Sequence, residues 1–147
     1  MLRALLSRFR KRAPDNDTIW VMETADRLTG RIMEIFSIQF SIAECRPSDI
    51  PQHKEFFVAS YVAGFCDVMA QGAGAKAGGN LSMTLAGRIM QKIFGNTHGD
   101  YMFKKVDEAM HTRDPICFKV LLIGAKDANC VFGQTLSFKL AEYLSQK

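Results

Sequence analysis

No apolar run in this 147-residue chain is long enough to cross a membrane. A spanning helix needs about 20 consecutive apolar residues. The longest run here, residues 56–66, is about half that length and is followed by Asp67. The chain is therefore not expected to span a membrane. Cysteines that read as reduced, together with the absence of a secretory signal, favour the cytoplasm, where any membrane contact would be peripheral.

The chain also lacks any motif that would hold a metal or a cofactor. Its four cysteines form no C-x-x-C pair of the zinc or redox kind, and they lie in apolar surroundings, which indicates reduced core residues. One Glu-x-x-His pair occurs, at Glu108 and His111. A di-metal helical bundle needs two such pairs and further carboxylates. We therefore expect no metal and no cofactor. The cysteines are Cys45, Cys66, Cys117 and Cys130.

Acidic residues are absent from the first twelve positions, which hold five of the 19 lysines and arginines. The rest of the chain then has 14 basic residues against 15 acidic ones, although the whole chain carries a net charge of +4. A nearly neutral body gives no general attraction for nucleic acid, so the sequence argues against nucleic-acid binding. If the chain does bind a polyanion, we expect the binding residues to lie in the basic N-terminal segment.

Residues 1–13 form a basic segment with one apolar stripe, because its large apolar residues recur at the spacing of a helix face. Such a helix can dock on a protein partner or on an anionic membrane, with its apolar side buried and its cations outward. Two alternatives stay open: an organelle presequence, and a first helix that packs on the body. The docking residues are Leu2, Arg3, Leu5, Leu6, Arg8, Phe9, Arg10, Lys11 and Arg12.

Residues 15–147 are predicted to form one all-α domain, a bundle of about five to six helices. Apolar residues recur every three or four positions over most of this range. The helix over 52–71 is apolar around most of its circumference and is expected to be central. Two segments, 36–42 and 116–123, also fit a strand, the first because its apolar residues alternate and the second because it is nearly all apolar. We also expect Gly124 to kink or end its helix, a closing helix after Asp127, and a turn over residues 95–100.

A polar stripe on the central helix is the candidate ligand pocket. Ser60, Gly64, Asp67 and Gln71 fall at i, i+4, i+7 and i+11 on an otherwise apolar helix. A carboxylate in such surroundings must reach solvent or be paired. The stripe predicts a pocket wall, a buried polar network, a close helix crossing over Gly64, or the solvent face of a core helix.

The expected function is that of a non-enzymatic helical interaction protein. The chain contains no ordered set of titratable residues that indicates catalysis, so the expectation leans away from an enzyme. Self-association into a homo-oligomer is compatible with the amount of apolar helix. The alternative is a small helical enzyme or ligand-binding protein with its pocket around Asp67.

Overall fold

The computed structural model describes residues 14–135 and 137–146, and within these ranges it is all-helical, as predicted. The basic segment 1–13 lies outside the described residues. Within them, no helix is both long and apolar enough to cross a lipid bilayer. The six helices are α1 (Thr18–Ile42), α2 (Gln52–Gly72), α3 (Asn80–Phe94), α4 (Asn96–His111), α5 (Pro115–Phe132) and α6 (Lys139–Ser145).

Aspartates fix the start of three helices. The Asp17 carboxylate accepts hydrogen bonds from two first-turn N–H groups of α1, at 3.0 and 3.2 Å. Asp114, followed by Pro115, does the same for α5 at 2.9 and 3.2 Å. Asp15 caps α3 from a distant part of the chain, accepting from the N–H groups of its first two residues at 2.9 and 2.8 Å. Each cap pairs N–H groups that a helix leaves unsatisfied.

Helix α2 forms the centre of the bundle, since every residue from 58 to 66 is buried. Helix α1 runs antiparallel to it: the Phe36 and Phe65 rings lie 4.9 Å apart, and one turn further on Gln39 reaches Tyr61. Helices α3 and α4 form an antiparallel pair, joined by Gly95 at a φ of 88°. The single core joins all six helices.

Glycines allow α2 and α5 to pack backbone against backbone. A Cβ atom at Gly64 would overlap the Leu121 carbonyl group, and one at Gly124 would overlap the Tyr61 carbonyl oxygen. Ser60 near the middle of α2 contacts Cys117 at the start of α5, and Gly72 at the end of α2 contacts Phe132 at the end of α5, so these two helices are parallel. The close helix crossing considered for Gly64 is present.

Both segments with a possible strand are helical. Residues 36–42 complete α1: Phe36 and Phe40 are buried, whereas Ile38 and Ile42 are 45% and 52% exposed, so burial follows the helical period. Ile38 and Ile42 therefore lie outside the buried face of α1.

Three predicted boundaries differ from the structure. Gly124 does not end its helix, because α5 continues to Phe132, and the glycine lies at the contact with α2. The closing helix does not follow α5 directly: residues 133–138 separate the two, and α6 has only seven residues. The turn over 95–100 is shorter than predicted, since α4 already begins at Asn96.

Candidate functional site

The four residues of the predicted polar stripe occupy two different environments. Ser60 is buried beside Cys117, with their Oγ and Sγ atoms 3.7 Å apart, and Gly64 is buried against α5. Asp67 is partly exposed and accepts hydrogen bonds from Gln71 Nε2 at 3.0 Å and from the Gly78 N–H at 2.8 Å. The stripe therefore joins α2 to α5 at one end. At the other end it holds residues 73–79, the glycine- and alanine-rich connection between α2 and α3, which we call the Gly/Ala loop. Ligand binding by these residues stays a prediction.

A buried hydrogen-bond network connects α1, α2, α5 and α6. The Tyr61 hydroxyl donates to Asp127 Oδ2 at 2.6 Å and accepts from Gln39 Nε2 at 3.0 Å. The same Asp127 oxygen accepts from the Lys139 N–H at 3.3 Å, and Gln39 Oε1 accepts from the Ala141 N–H at 3.1 Å. Burial and the Asp127 hydrogen bond raise the pKa of Tyr61 far above its ordinary value. The network thus holds the N-terminus of α6.

Lys54 holds the other end of α6. Its side chain is buried, and its ammonium group donates to the carbonyls of Tyr143 at 3.2 Å and Leu144 at 3.3 Å, and also to the carbonyl of Gln146. A cation at a helix C-terminus pairs the carbonyls that the helix leaves unsatisfied. A carboxylate at one end and an ammonium at the other therefore attach this short helix to the core.

A groove of about 490 Å³ lies beside α6, between that helix and α5. Phe57 and Tyr143, whose rings stack with centroids 3.6 Å apart, form part of its wall. Two acidic residues, Asp127 and Glu142, and two lysines line the groove, so their formal charges cancel. One of these lysines, Lys139, pairs with Glu142 at 3.3 Å. The Asp127 carboxylate, which lines the groove, already accepts the hydrogen bonds that hold α6. We therefore interpret the groove as a consequence of how α6 packs beside α5.

The outward side of α5 carries an exposed stripe that is apolar except at Asn129. Phe118, Leu122 and Phe132 are 42%, 61% and 49% exposed. Ala125, partly exposed, and Asn129, exposed, complete a row whose members follow one another at four, three, four and three residues. This spacing keeps side chains on one face of a helix. Exposed apolar groups that line up along one helix commonly mark an interaction surface.

Lysines border this stripe on one side. Lys119 and Lys126 are exposed and lie on α5 between the stripe and the groove beside α6. The acidic residue of this helix, Asp127, points inward to Tyr61. The outward surface of α5 is therefore apolar and positively charged, and it is called the α5 face below.

The chain enters the bundle near one end of the α5 face. Asp15, close to the first described residue, contacts the start of α3, which directly follows the Gly/Ala loop. That loop follows Gly72, and Gly72 lies against the Phe132 ring at the end of α5. Asp15 is thus near the end of the bundle where the α5 face ends.

The histidines provide no metal centre. His111 Nδ1 lies 2.7 Å from the Asp107 carbonyl of its own helix, and Glu108 points to solvent. His98 pairs with Glu55 at 2.6 Å. Across residues 14–135 and 137–146, no three histidine, cysteine or acidic side chains are grouped as metal ligands.

The buried contacts of α6 and the α5 face were not predicted from the sequence, for different reasons. Asp127 and Lys54 look like ordinary surface residues in the sequence, and a long-range hydrogen bond leaves no local pattern. The α5 face could have been found, since Phe118 and Leu122 stand four residues apart beside lysines. A search with protein-family models, curated proteins and solved structures finds no match to this chain.

Proposed function

We propose that this chain is a helical interaction protein that binds an anionic membrane surface through two elements, the basic segment 1–13 and the α5 face. The α5 face carries the proposal. Phe118 and Leu122 project from a folded domain beside two lysines. Apolar residues flanked by cations are the composition with which helices bind the interface of anionic membranes.

The segment 1–13 has the same chemistry as the α5 face. Its five cations and its four large apolar residues repeat the combination of lysines with Phe and Leu. Each basic residue near an anionic membrane contributes about 1 kcal/mol of binding free energy, so the segment adds a substantial share. A membrane can engage both elements without a fixed geometry between them.

Charge favours a lipid surface over a second copy of the chain. If two α5 faces met around a twofold axis perpendicular to the helices, Lys119 and Lys126 of one copy would lie near the same lysines of the other. Repulsion would then oppose the apolar contact. An anionic membrane would instead bury the apolar side chains of the α5 face and attract its lysines.

Sedimentation with vesicles tests this proposal. The vesicles contain phosphatidylcholine and phosphatidylserine in a two-to-one ratio, with pure phosphatidylcholine as the comparison. Full-length protein is expected to sediment with the anionic vesicles only. Replacing Phe118 and Leu122 by serine should lower the affinity about tenfold or more, since each buried apolar side chain contributes roughly 1.5–3 kcal/mol. A matched control replaces Ile38 and Ile42, which are similarly exposed but lie on α1, and should leave binding unchanged.

A second variant tests the N-terminal element in the full-length chain. Glutamine replaces Arg3, Arg8, Arg10, Lys11 and Arg12, which removes the charges and keeps the apolar stripe. Sedimentation is expected to fall and to lose most of its salt dependence. The proposal is wrong if neither variant changes binding, or if light scattering shows a dimer that the Phe118 and Leu122 variant dissociates.

A further inference from the structure

Helix α6 occupies a surface formed by α1, α2 and α5. It is the shortest of the six α-helices described above, with seven residues. Four buried polar side chains belong to this surface, and they bind α6 or one another. We call the surface the α6 site. Its polar side chains are Gln39, Lys54, Tyr61 and Asp127.

The α6 site requires an occupant. Lys54 and Asp127 are buried, and both form hydrogen bonds with main-chain groups of α6. A buried charged group that loses its partners is strongly destabilising. When α6 leaves, the site must therefore be refilled by a helix of the same kind, either the chain's own helix or that of another molecule.

The α6 site binds the main chain at both ends of α6. Asp127 and Gln39 accept hydrogen bonds from N–H groups of its first turn, and Lys54 donates to carbonyls of its last turn. These are the groups that every helix leaves unsatisfied. The side chains that α6 buries are Leu140, Ala141 and Leu144. Every copy of the chain carries the same groups, so the α6 of a second copy fits the site as well as the chain's own.

Helix α6 depends on its site for its own folding. Isolated helices shorter than about 12 residues are marginal in water, because too few hydrogen bonds form to offset the cost of starting the helix. The contacts that hold α6 therefore also keep it helical. Once released, the segment gains stability only by folding again on an α6 site, and the site of a neighbouring molecule serves equally well.

The turn after α5 contains a residue that favours release of α6. Gln134 has a φ of 60°, in the left-handed region that suits glycine better than other residues. The Thr135 N–H donates to the Cys130 carbonyl at 2.9 Å and closes this turn. Extending the chain at Gln134 would remove the left-handed conformation and carry α6 away from its own α5. Strain of this kind in a short connection favours the exchange of a terminal element between copies.

We propose that two copies of this chain exchange α6, so that the α6 of each copy occupies the α6 site of the other. The exchanged dimer keeps the contacts of α6 with its site and relieves the strain at Gln134 in both copies. Association costs the two chains their independent motion, so the dimer forms at high protein concentration. The exchange uses neither the α5 face nor residues 1–13, and it stands whether or not the protein binds a membrane.

Light scattering during size-exclusion chromatography tests the exchange in the full-length protein. Concentrated protein is incubated just below its unfolding transition, and a dimer is expected that returns slowly to monomer on dilution, because α6 must first leave its site. Gln134→Gly should lower the association constant of the dimer about tenfold or more, since glycine adopts the same φ without strain. Arg113→Gly is the matched control: Arg113 has a φ of 56° after α4, and its replacement should leave the association constant unchanged. Absence of a dimer, or equal effects of the two substitutions, would contradict the proposal.

Two defective variants identify which helix occupies which site. Lys54→Met with Asp127→Ala damages the α6 site, and Leu140→Ser with Leu144→Ser damages α6 itself. Neither variant should dimerise alone, because every pairing of helix and site then has a defect. A mixture should form a heterodimer, in which the intact α6 of the first variant occupies the intact site of the second, and native mass spectrometry with one variant isotope-labelled identifies it. The proposal is wrong if the mixture stays monomeric while circular dichroism shows both variants folded. It is also wrong if serine at Phe118 and Leu122 dissociates the wild-type dimer, since the copies then associate through the α5 face.

Discussion

Helices α2 and α5 are both rich in apolar residues, yet they are buried to very different extents. Every residue of α2 from 58 to 66 is buried, because other helices pack around it. Helix α5 is buried only on the side that faces α2, and Phe118 and Leu122 project into solvent on the other. Apolar content therefore predicts helix formation in both cases but does not predict which helix will be enclosed.

The two sides of α5 also use different residue types. The inner side needs glycine, because the α2 and α5 backbones touch at Gly64 and Gly124. The outer side carries Phe118 and Leu122, which are 42% and 61% exposed. The inner side should therefore determine stability, and the outer side should determine binding. Four predictions test this division.

The largest effect is expected at the inner side of α5. Gly64→Ala places a methyl group against the Leu121 backbone, which cannot rotate away as a side chain could. The free energy of unfolding should fall by about 3 kcal/mol, the upper range for overpacking. Urea denaturation measures this change. Gly30→Ala is the control: it adds the same methyl group where space is open, so stability should rise by about 0.5–1 kcal/mol. Equal effects of the two substitutions would contradict the backbone contact.

A smaller loss is expected where α6 is attached to the core. Asp127→Ala removes the acceptor of the Tyr61 hydroxyl and of the Lys139 N–H. Leaving buried donors unsatisfied should cost about 2 kcal/mol. Glu142→Ala, which removes an exposed ion pair on α6, should cost under about 0.5 kcal/mol. Hydrogen exchange should show the loss of protection first in residues 139–145, and a uniform loss across the bundle would argue against a local role.

Sequence patterns predicted the helices because the signals for helices are local. The caps at Asp17 and Asp114 act within the first turn of a helix. The periodic apolar residues repeat over a few turns of the same helix. These signals were enough for the all-α bundle and for the central position of α2. They misplaced Gly124, because a glycine that breaks a helix and one that permits a close crossing look the same without the partner helix.

The buried network around Tyr61 depends on residues far apart in the chain. Gln39, Tyr61 and Asp127 meet only after α1, α2 and α5 have packed, so their spacing carries no signal. By contrast, the spacing of Ser60, Gly64, Asp67 and Gln71 was visible in the sequence, and the structure relates it to helix packing and loop order.

Alkaline pH provides a further test of the buried hydrogen-bond network around Tyr61. Burial raises the pKa of Tyr61, so the folded protein keeps this proton where the unfolded chain loses it, above about pH 10. The folded state then binds more protons, and stability should fall as the pH rises, by about 1.4 kcal/mol per unit for this group. In Tyr61→Phe, the free energy of unfolding should fall less between pH 10 and pH 11, because the contribution of this group is gone. Urea denaturation at the two pH values measures the difference. Tyr101→Phe, at an exposed position, is the control and should leave this pH dependence unchanged. If Tyr61→Phe also leaves the pH dependence of stability unchanged, the hydroxyl group of Tyr61 is not buried as the structure shows.

The smallest effect on stability is expected at the α5 face. Replacing Phe118 and Leu122 by serine removes apolar surface that is already exposed to water, so the free energy of unfolding should change by less than about 0.5 kcal/mol. Thermal and urea denaturation of the monomer measure this change. Matched serine substitutions of Val120 and Cys117, on the buried side of the same helix, should be strongly destabilising. A large stability loss from the outer pair would mean that these side chains are covered within the folded chain, and the α5 face would then no longer be available to a membrane.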